Sequence, residues 1–224
     1  MKVIVFDLGG TLMQYAGMPR SWVDYYYEGF EAISREFNCH VPQEVIERSL
    51  QMLKEFNPRI HYREIEHSAE YIFTKVLESW PMDISIQDCI EVFWSGLRLK
   101  AEIYPDTIPV LQKLRVEGYA IAALTDLLSA MPDEIFRRDI ADLLDYFDYY
   151  VSSSVAGYRK PNCRGLQMIS EKFAVPITDL IFVGDEEKDR KTALNANCKF
   201  IWIQRAEENE ESINNLYKLF MLFS

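Results

Sequence analysis

The chain has 224 residues, of which 49% are hydrophobic and 13% aromatic, enough for one large domain or a core carrying an insertion. Its formal net charge of −11 sets the surface against nucleic-acid phosphates and disfavours DNA or RNA binding. Cys39, Cys89, Cys163 and Cys198 lack CxxC spacing, which argues against a disulfide framework or a structural zinc site and for a reducing cytoplasm.

Lys2–Phe6 is an apolar run that reads as a buried strand and leaves no room for a signal peptide; no later stretch reaches membrane-spanning length. From about Tyr15 to Lys100 the pattern is helical throughout. Trp22, Tyr26, Phe30, Ile33 and Phe37 recur at spacings of three and four, as do Ile46, Leu50, Leu53 and, with a slip, Phe56. Ile65, Ala69, Ile72 and Val76 form a third series, and Ile86, Ile90, Phe93 and Leu97 a fourth. Ser21-x-x-Asp24 and Ser85-x-x-Asp88 read as helix starts. Four amphipathic helices make a small bundle.

After Tyr104-Pro105, strands and helices alternate. Asp106 reads as the cap of a helix through Leu111, Leu114 and Val116 that ends at Gly118. Tyr119–Thr125, Tyr149–Ser153, Leu180–Gly184 and Lys199–Ile203 read as further strands, with helices over Asn162–Phe173 and Arg190–Asn197. Most of these strands lack strict alternation, as expected when both faces of a parallel sheet are covered. The fold class is therefore α/β, a doubly wound parallel sheet with an inserted four-helix unit. The core is expected at 1–14 plus 101–224 and the insertion at 15–100. Glu207–Glu211 reads as a solvated acidic segment before a last helix.

Several polar residues fall at strand ends, where ligands bind in open parallel sheets. Asp7 follows the first strand, Thr125 ends the second, and Lys160-Pro161 lies just past the third. Asp185 ends the fourth, with Asp189 four residues on. Singly, each has an ordinary structural role as cap, turn or surface group. Together they form Phe6-Asp7-Leu8-Gly9-Gly10-Thr11, Ala122-Ala123-Leu124-Thr125-Asp126, Gly157-Tyr158-Arg159-Lys160-Pro161 and Phe182-Val183-Gly184-Asp185-x-x-x-Asp189. In order and spacing this set resembles the four motifs of the haloacid dehalogenase-like (HAD) hydrolases, and the inserted bundle resembles the helical cap of one subgroup.

The resemblance implies a Rossmann-like core and phosphoryl transfer, with Asp7 as nucleophile forming an aspartyl phosphate. It implies Mg²⁺ held by Asp7, Asp185 and the backbone carbonyl of Gly9. Lys160 would neutralise charge between phosphate and nucleophile, and Thr125 would donate to a phosphate oxygen. Gly9, Gly10, Thr125, Asp126 and Lys160 are the candidate phosphate contacts. Asp189 and Glu186 belong to an outer layer that orients the metal or Lys160.

One residue departs from the family pattern. Position 9, where the family carries an acid/base aspartate, is glycine. General acid–base help of that kind is worth about 10²–10⁴-fold. The loss leaves open a substrate with a good leaving group, a proton carried by another group such as Asp126 or a cap residue, or slow turnover. The leading expectation is a Mg²⁺-dependent phosphatase of a small phosphorylated metabolite. The alternatives are a silent phosphate-binding protein, or a hydrolase of C–P or C–halogen bonds with Lys54 as a candidate Schiff-base lysine. Retention of Asp185 and Asp189 argues against the metal-free dehalogenase pattern. Tyr25-Tyr26-Tyr27 and Arg59, His61, Tyr62 and Arg63 are candidate cap contacts for substrate. The sequence carries no signal for oligomeric state.

Overall fold

The computed structural model describes residues 2–17, 25–81, 84–206 and 212–223. Ser21-x-x-Asp24, Trp22 and the Glu207–Glu211 run lie outside the described residues.

Six parallel strands form one sheet in the order β5-β4-β1-β6-β7-β8. They are β1 (Val3–Phe6), β4 (Ala120–Thr125), β5 (Tyr149–Ser152), β6 (Leu180–Gly184), β7 (Lys199–Ile203) and β8 (Ser212–Ile213). A separate antiparallel ribbon pairs β2 (Met13–Tyr15) with β3 (Ala101–Ile103). β1 is central: Phe6 lies in register with Ala123 on one side and Val183 on the other. The chain runs outward from β1 through β4 to β5, then crosses to β6 and runs outward again. The strand order therefore reverses beside β1, which makes the carboxyl ends of β1, β4 and β6 the place for a ligand.

The continuous apolar character of β1 has a direct cause. Ile4 and Phe6 belong to one core and Val3 and Val5 to the other, and all four are at most 1% exposed. With helices over both faces there is no solvent side to demand polar residues. Burial of each such side chain contributes about 1.5–3 kcal/mol.

Between β2 and β3 lie α1 (Tyr26–Glu36), α2 (Gln43–Glu55), α3 (Ala69–Val76) and α4 (Ile86–Gly96). Phe30, Phe73 and Phe93 meet edge-on at their centre. α1 and α4 pack closely because Gly29 carries no side chain; a Cβ there would come within 2.5 Å of the Phe93 ring. Trp94 leaves this bundle to donate from Nε1 to the Ala130 carbonyl at 2.9 Å, so the helices and the sheet share one core.

The helices that follow are α5 (Thr107–Val116), α6 (Asp133–Asp139), α7 (Ala141–Leu144), α8 (Ser153–Ala156), α9 (Arg164–Phe173), α10 (Glu187–Ala196) and α11 (Leu219–Phe223).

The segment 15–100 is not helical throughout. Ile65 does not extend the third helix: the Ser68 hydroxyl accepts from Tyr71 N–H at 3.2 Å and starts α3 at Ala69, while Ile65 is 58% exposed. The chain between α2 and α3 instead crosses to the sheet domain. Asp106 precedes α5, but its carboxylate does not cap that helix. It accepts from Arg205 Nη1 at 2.7 and 2.8 Å and from Leu216 N–H at 2.7 Å, tying the C-terminal segment to the first turn of α5.

Candidate active site

Asp7 leaves β1 with 4% of its surface exposed. Lys160 reaches it from the loop after α8, placing Nζ 2.7 Å from Asp7 Oδ1 and 2.5 Å from Asp189 Oδ1. Asp189 is wholly buried in the first turn of α10, and its Oδ2 accepts from Glu186 N–H at 2.9 Å. Asp185 directly follows β6, and its Oδ1 accepts from the Thr11 hydroxyl at 3.4 Å. Asp7, Asp185 and Asp189 each offer a carboxylate oxygen within 4.8 Å of the others.

Gly10 explains how Asp185 comes so close to the first loop. Its φ is +83°, which favours glycine, and a Cβ would lie 2.2 Å from Asp185 Oδ2. Gly9 differs: it is exposed, and a Cβ there would meet nothing within 4 Å. The missing side chain at position 9 is thus no demand of packing.

Burial raises the Asp7 pKa well above the usual carboxylate value; Lys160 opposes this, and Asp189 and Asp185 add to it. Burial disfavours the charged form of Lys160, but Asp189 and Asp7 outweigh it and hold the ammonium well above its ordinary pKa. Three carboxylates around one contacting ammonium form an all-oxygen, negatively charged donor set, which fits a hard divalent cation such as Mg²⁺.

A cleft of about 950 Å³ opens over Asp7 and Asp185 and is lined also by Gly9, Gly10, Thr125 and Lys188. A second lobe of about 740 Å³ continues past Lys160 to Tyr26, Asn57, Arg59 and Tyr62. Arg59, Asp126, Glu186 and Lys188 line both lobes.

Of the candidate cap contacts, Tyr26, Arg59 and Tyr62 reach the cleft. Tyr26 is buried, and its hydroxyl accepts from Asn57 Nδ2 at 3.2 Å. Tyr25, Tyr27, His61 and Arg63 line neither lobe. Tyr27 donates to Gln43 and Arg63 to Glu66. Lys54, the candidate Schiff-base lysine, lines neither lobe either.

The two carboxylates that line both lobes are held ionised. Asp126 is 4% exposed at its side chain, with Oδ1 accepting from Lys160 N–H at 3.1 Å and Oδ2 3.5 Å from Lys188 Nζ. Burial pushes its pKa up, but Lys188, Arg159 and Lys160 together pull it below the ordinary value. Glu186 pairs with Arg59 Nη2 at 2.5 Å and Lys188 Nζ at 3.1 Å. Burial opposes its charge as well, yet Lys188 and Arg59 bring its pKa down to about 2. Neither group carries a proton at neutral pH.

Sequence reasoning overlooked Lys188, Arg159 and Glu66. Lys188 had one signal: it is a cation in the first turn of a helix, where the macrodipole disfavours positive charge. Arg159 sits beside Lys160 in the third motif, but its pairing with Glu66 had no signal, because only the fold makes them neighbours.

A family model described as haloacid dehalogenase-like hydrolase matches residues 1–197. The chain is 24% identical over 222 residues to a phosphoglycolate phosphatase of Vibrio cholerae, covering 96% of this chain and 89% of that protein. It is 28% identical over 113 residues to a glyceraldehyde 3-phosphate phosphatase of Methanopyrus kandleri, covering 50% and 48%. Among solved structures, it resembles a 2-haloacid dehalogenase from Pseudomonas syringae with a TM-score of 0.70 at 21% identity, covering 100% of this chain and 98% of that one. A HAD phosphatase from Thermococcus onnurineus gives 0.66 at 22%, with the same coverage. Those two likenesses speak to fold.

Proposed function

The chain belongs to the haloacid dehalogenase-like hydrolases, and from that premise we propose that it is a Mg²⁺-dependent phosphatase of a small phosphorylated metabolite. The observation that carries the reading is the contact of Lys160 with both Asp7 and Asp189, with Asp185 close by. A phosphatase needs a carboxylate nucleophile, a cation against the phosphate oxygens and a seat for a divalent ion. The curated relatives, phosphatases of small phosphorylated acids and aldehydes by name, support the same class.

Asp7 is the proposed nucleophile: its carboxylate oxygen attacks phosphorus, the ester oxygen leaves, and Asp7 carries an acyl phosphate until water releases it. Lys160 holds its proton throughout and neutralises charge between nucleophile and phosphate. Thr125, which lines the cleft, donates its hydroxyl to a phosphate oxygen. Asp7, Asp185 and the Gly9 carbonyl would hold Mg²⁺, which when bound lowers the cost of ionising Asp7 beside two other carboxylates. Asp189, already engaged by Lys160 and Glu186, orients Lys160 rather than the metal. Asp126 holds the Lys160 backbone and keeps its negative charge away from the phosphate. The helices within 15–100 are the proposed cap over a core of 1–14 plus 101–224. No helix among the described residues is long and apolar enough to cross a membrane, and the four free cysteines suit the cytoplasm.

Gly9 cannot carry a proton, and Asp126 and Glu186 are held without one. With no carboxylic acid there to protonate it, the favoured leaving group, from an ester or an acyl phosphate, is one that departs as an anion. The test is hydrolysis of p-nitrophenyl phosphate with Mg²⁺ and with chelator. Mg²⁺-dependent turnover that Asp7→Asn abolishes is expected; metal-independent turnover would contradict the reading.

A further inference from the structure

Lys160 acts over two short contacts, 2.7 Å to Asp7 and 2.5 Å to Asp189. Its loop must therefore be fixed within a fraction of an ångström. Much of that fixing comes from the segment between α2 and α3, nearly a hundred residues away in the chain.

Arg159 N–H donates to the Glu64 carbonyl at 2.8 Å, and Glu66 N–H donates to the Gly157 carbonyl at 3.0 Å. These bonds close an antiparallel bridge between Ile65 and Tyr158. The side chains repeat the pairing. Glu66 forms a short ion pair with Arg159 Nη1, accepts from Arg63 Nη1 at 2.9 Å and accepts from the Ser153 hydroxyl at 2.6 Å. Arg159 and Glu66 are 5% and 7% exposed at their side chains. Arg159 continues inward and donates from Nη2 to the Leu127 carbonyl at 2.8 Å. On the other side of the loop, Asp126 takes the N–H of Lys160 itself.

A buried ion pair is a poor way to gain stability, since apolar residues of similar volume often serve as well. What it supplies is direction. With Nη1 held by the Glu66 carboxylate and Nη2 by the Leu127 carbonyl, the planar guanidinium admits few positions of the backbone that carries it. We propose that Glu66 is a positioning residue for Lys160: by gripping Arg159 from the α2–α3 segment, it sets the backbone of the Lys160 loop. The proposal rests on the reading of Lys160 as the phosphate-neutralising group. It also means that the α2–α3 segment and the Lys160 loop move as one piece, because the chain is pinned there as well as at the β2–β3 ribbon.

The test is Glu66→Gln, assayed on p-nitrophenyl phosphate well below its melting temperature. Misplacing Lys160 weakens the transition state more than substrate binding. The expected result is a fall in kcat of about 10- to 100-fold with KM changed less than about twofold. A folded Glu66→Gln protein with wild-type kcat overturns the proposal. Because that variant leaves buried Arg159 without its carboxylate, Glu66→Met combined with Arg159→Met serves beside it; half-buried Arg63 keeps the Ile65 carbonyl and the Ser129 hydroxyl. That pair is expected to recover the melting temperature while kcat stays low; recovery of both overturns the proposal. Hydrogen exchange on the wild-type protein needs no variant. The Glu66 and Arg159 amides should exchange together and as slowly as that of Asn162, which donates to the Arg159 carbonyl. Fast exchange of the first two beside a slow Asn162 overturns the proposal. A wild-type protein with no phosphatase activity overturns the phosphatase reading itself, so the two failures are distinct.

Discussion

Gly9→Asp restores the side chain whose absence sets this chain apart, and the structure says how well it will be received. A Cβ at position 9 meets nothing within 4 Å, and the residue is exposed. The Cβ therefore enters without displacing a neighbour, and the exposed position keeps the carboxylate hydrated. Asp7 and Asp185 line the same cleft and raise its affinity for a proton, as like charges do, which suits a group that must protonate a leaving alcohol. General acid–base help is worth about 10²–10⁴-fold, or about 2.7–5.4 kcal/mol of barrier. The gain depends on the substrate. An alkoxide needs a proton to depart, and its phosphate ester should gain about 10²-fold or more in kcat/KM. p-Nitrophenolate departs as an anion and should gain little. The assay is kcat/KM for wild type and Gly9→Asp across aryl and alkyl phosphates ordered by leaving-group pKa. The slope of log kcat/KM against that pKa should be steep in wild type and flatter in the variant. Equal slopes in two folded proteins would refute the account of Gly9.

Other expectations follow from the same geometry. Asp7→Asn should raise the melting temperature of the metal-free protein near neutral pH. Because the folded-state pKa of Asp7 lies above its unfolded value, the unfolded chain ionises first and the fold loses stability as pH rises above about 3.8; the amide removes that loss. Gly10→Ala should abolish the thermal shift produced by Mg²⁺, because its Cβ would overlap the Asp185 carboxylate, and the left-handed backbone adds about 1 kcal/mol of strain; a retained shift in scanning calorimetry would count against that placement. Glu186 has the opposite linkage to Asp7. Its depressed pKa gives stability that is complete above about 4.5 and disappears as pH falls through about 2, so Glu186→Gln should flatten acid unfolding, followed by circular dichroism, across that window.

The five long strands were legible because β1, β4 and β6 are buried on both faces and so carry continuous apolar runs. The three- and two-residue strands β2, β3 and β8 were not. Such short segments pair because the fold brings them together, and nothing in three residues encodes it. Ile65 misled because its spacing to Ala69 continues a helical series. The Ser68 cap overrides that spacing, and the freed chain crosses to Tyr158. Asp106 carried a helix-cap signature, yet an arginine almost a hundred residues away claimed its carboxylate. Asp7, Lys160, Asp185 and Asp189 were readable because their motifs sit at strand ends, and the sheet order brings those ends to one crevice. The Glu66–Arg159 pair has no such address in the sequence.

The most direct test of the central claim is capture of the covalent intermediate. Protein quenched in acid during turnover of radiolabelled p-nitrophenyl phosphate with Mg²⁺ should carry phosphate on the peptide that contains Asp7, in a bond broken by hydroxylamine. The label should be absent with chelator and in Asp7→Asn. Steady hydrolysis with label on another peptide, or label that persists in Asp7→Asn, would contradict the account.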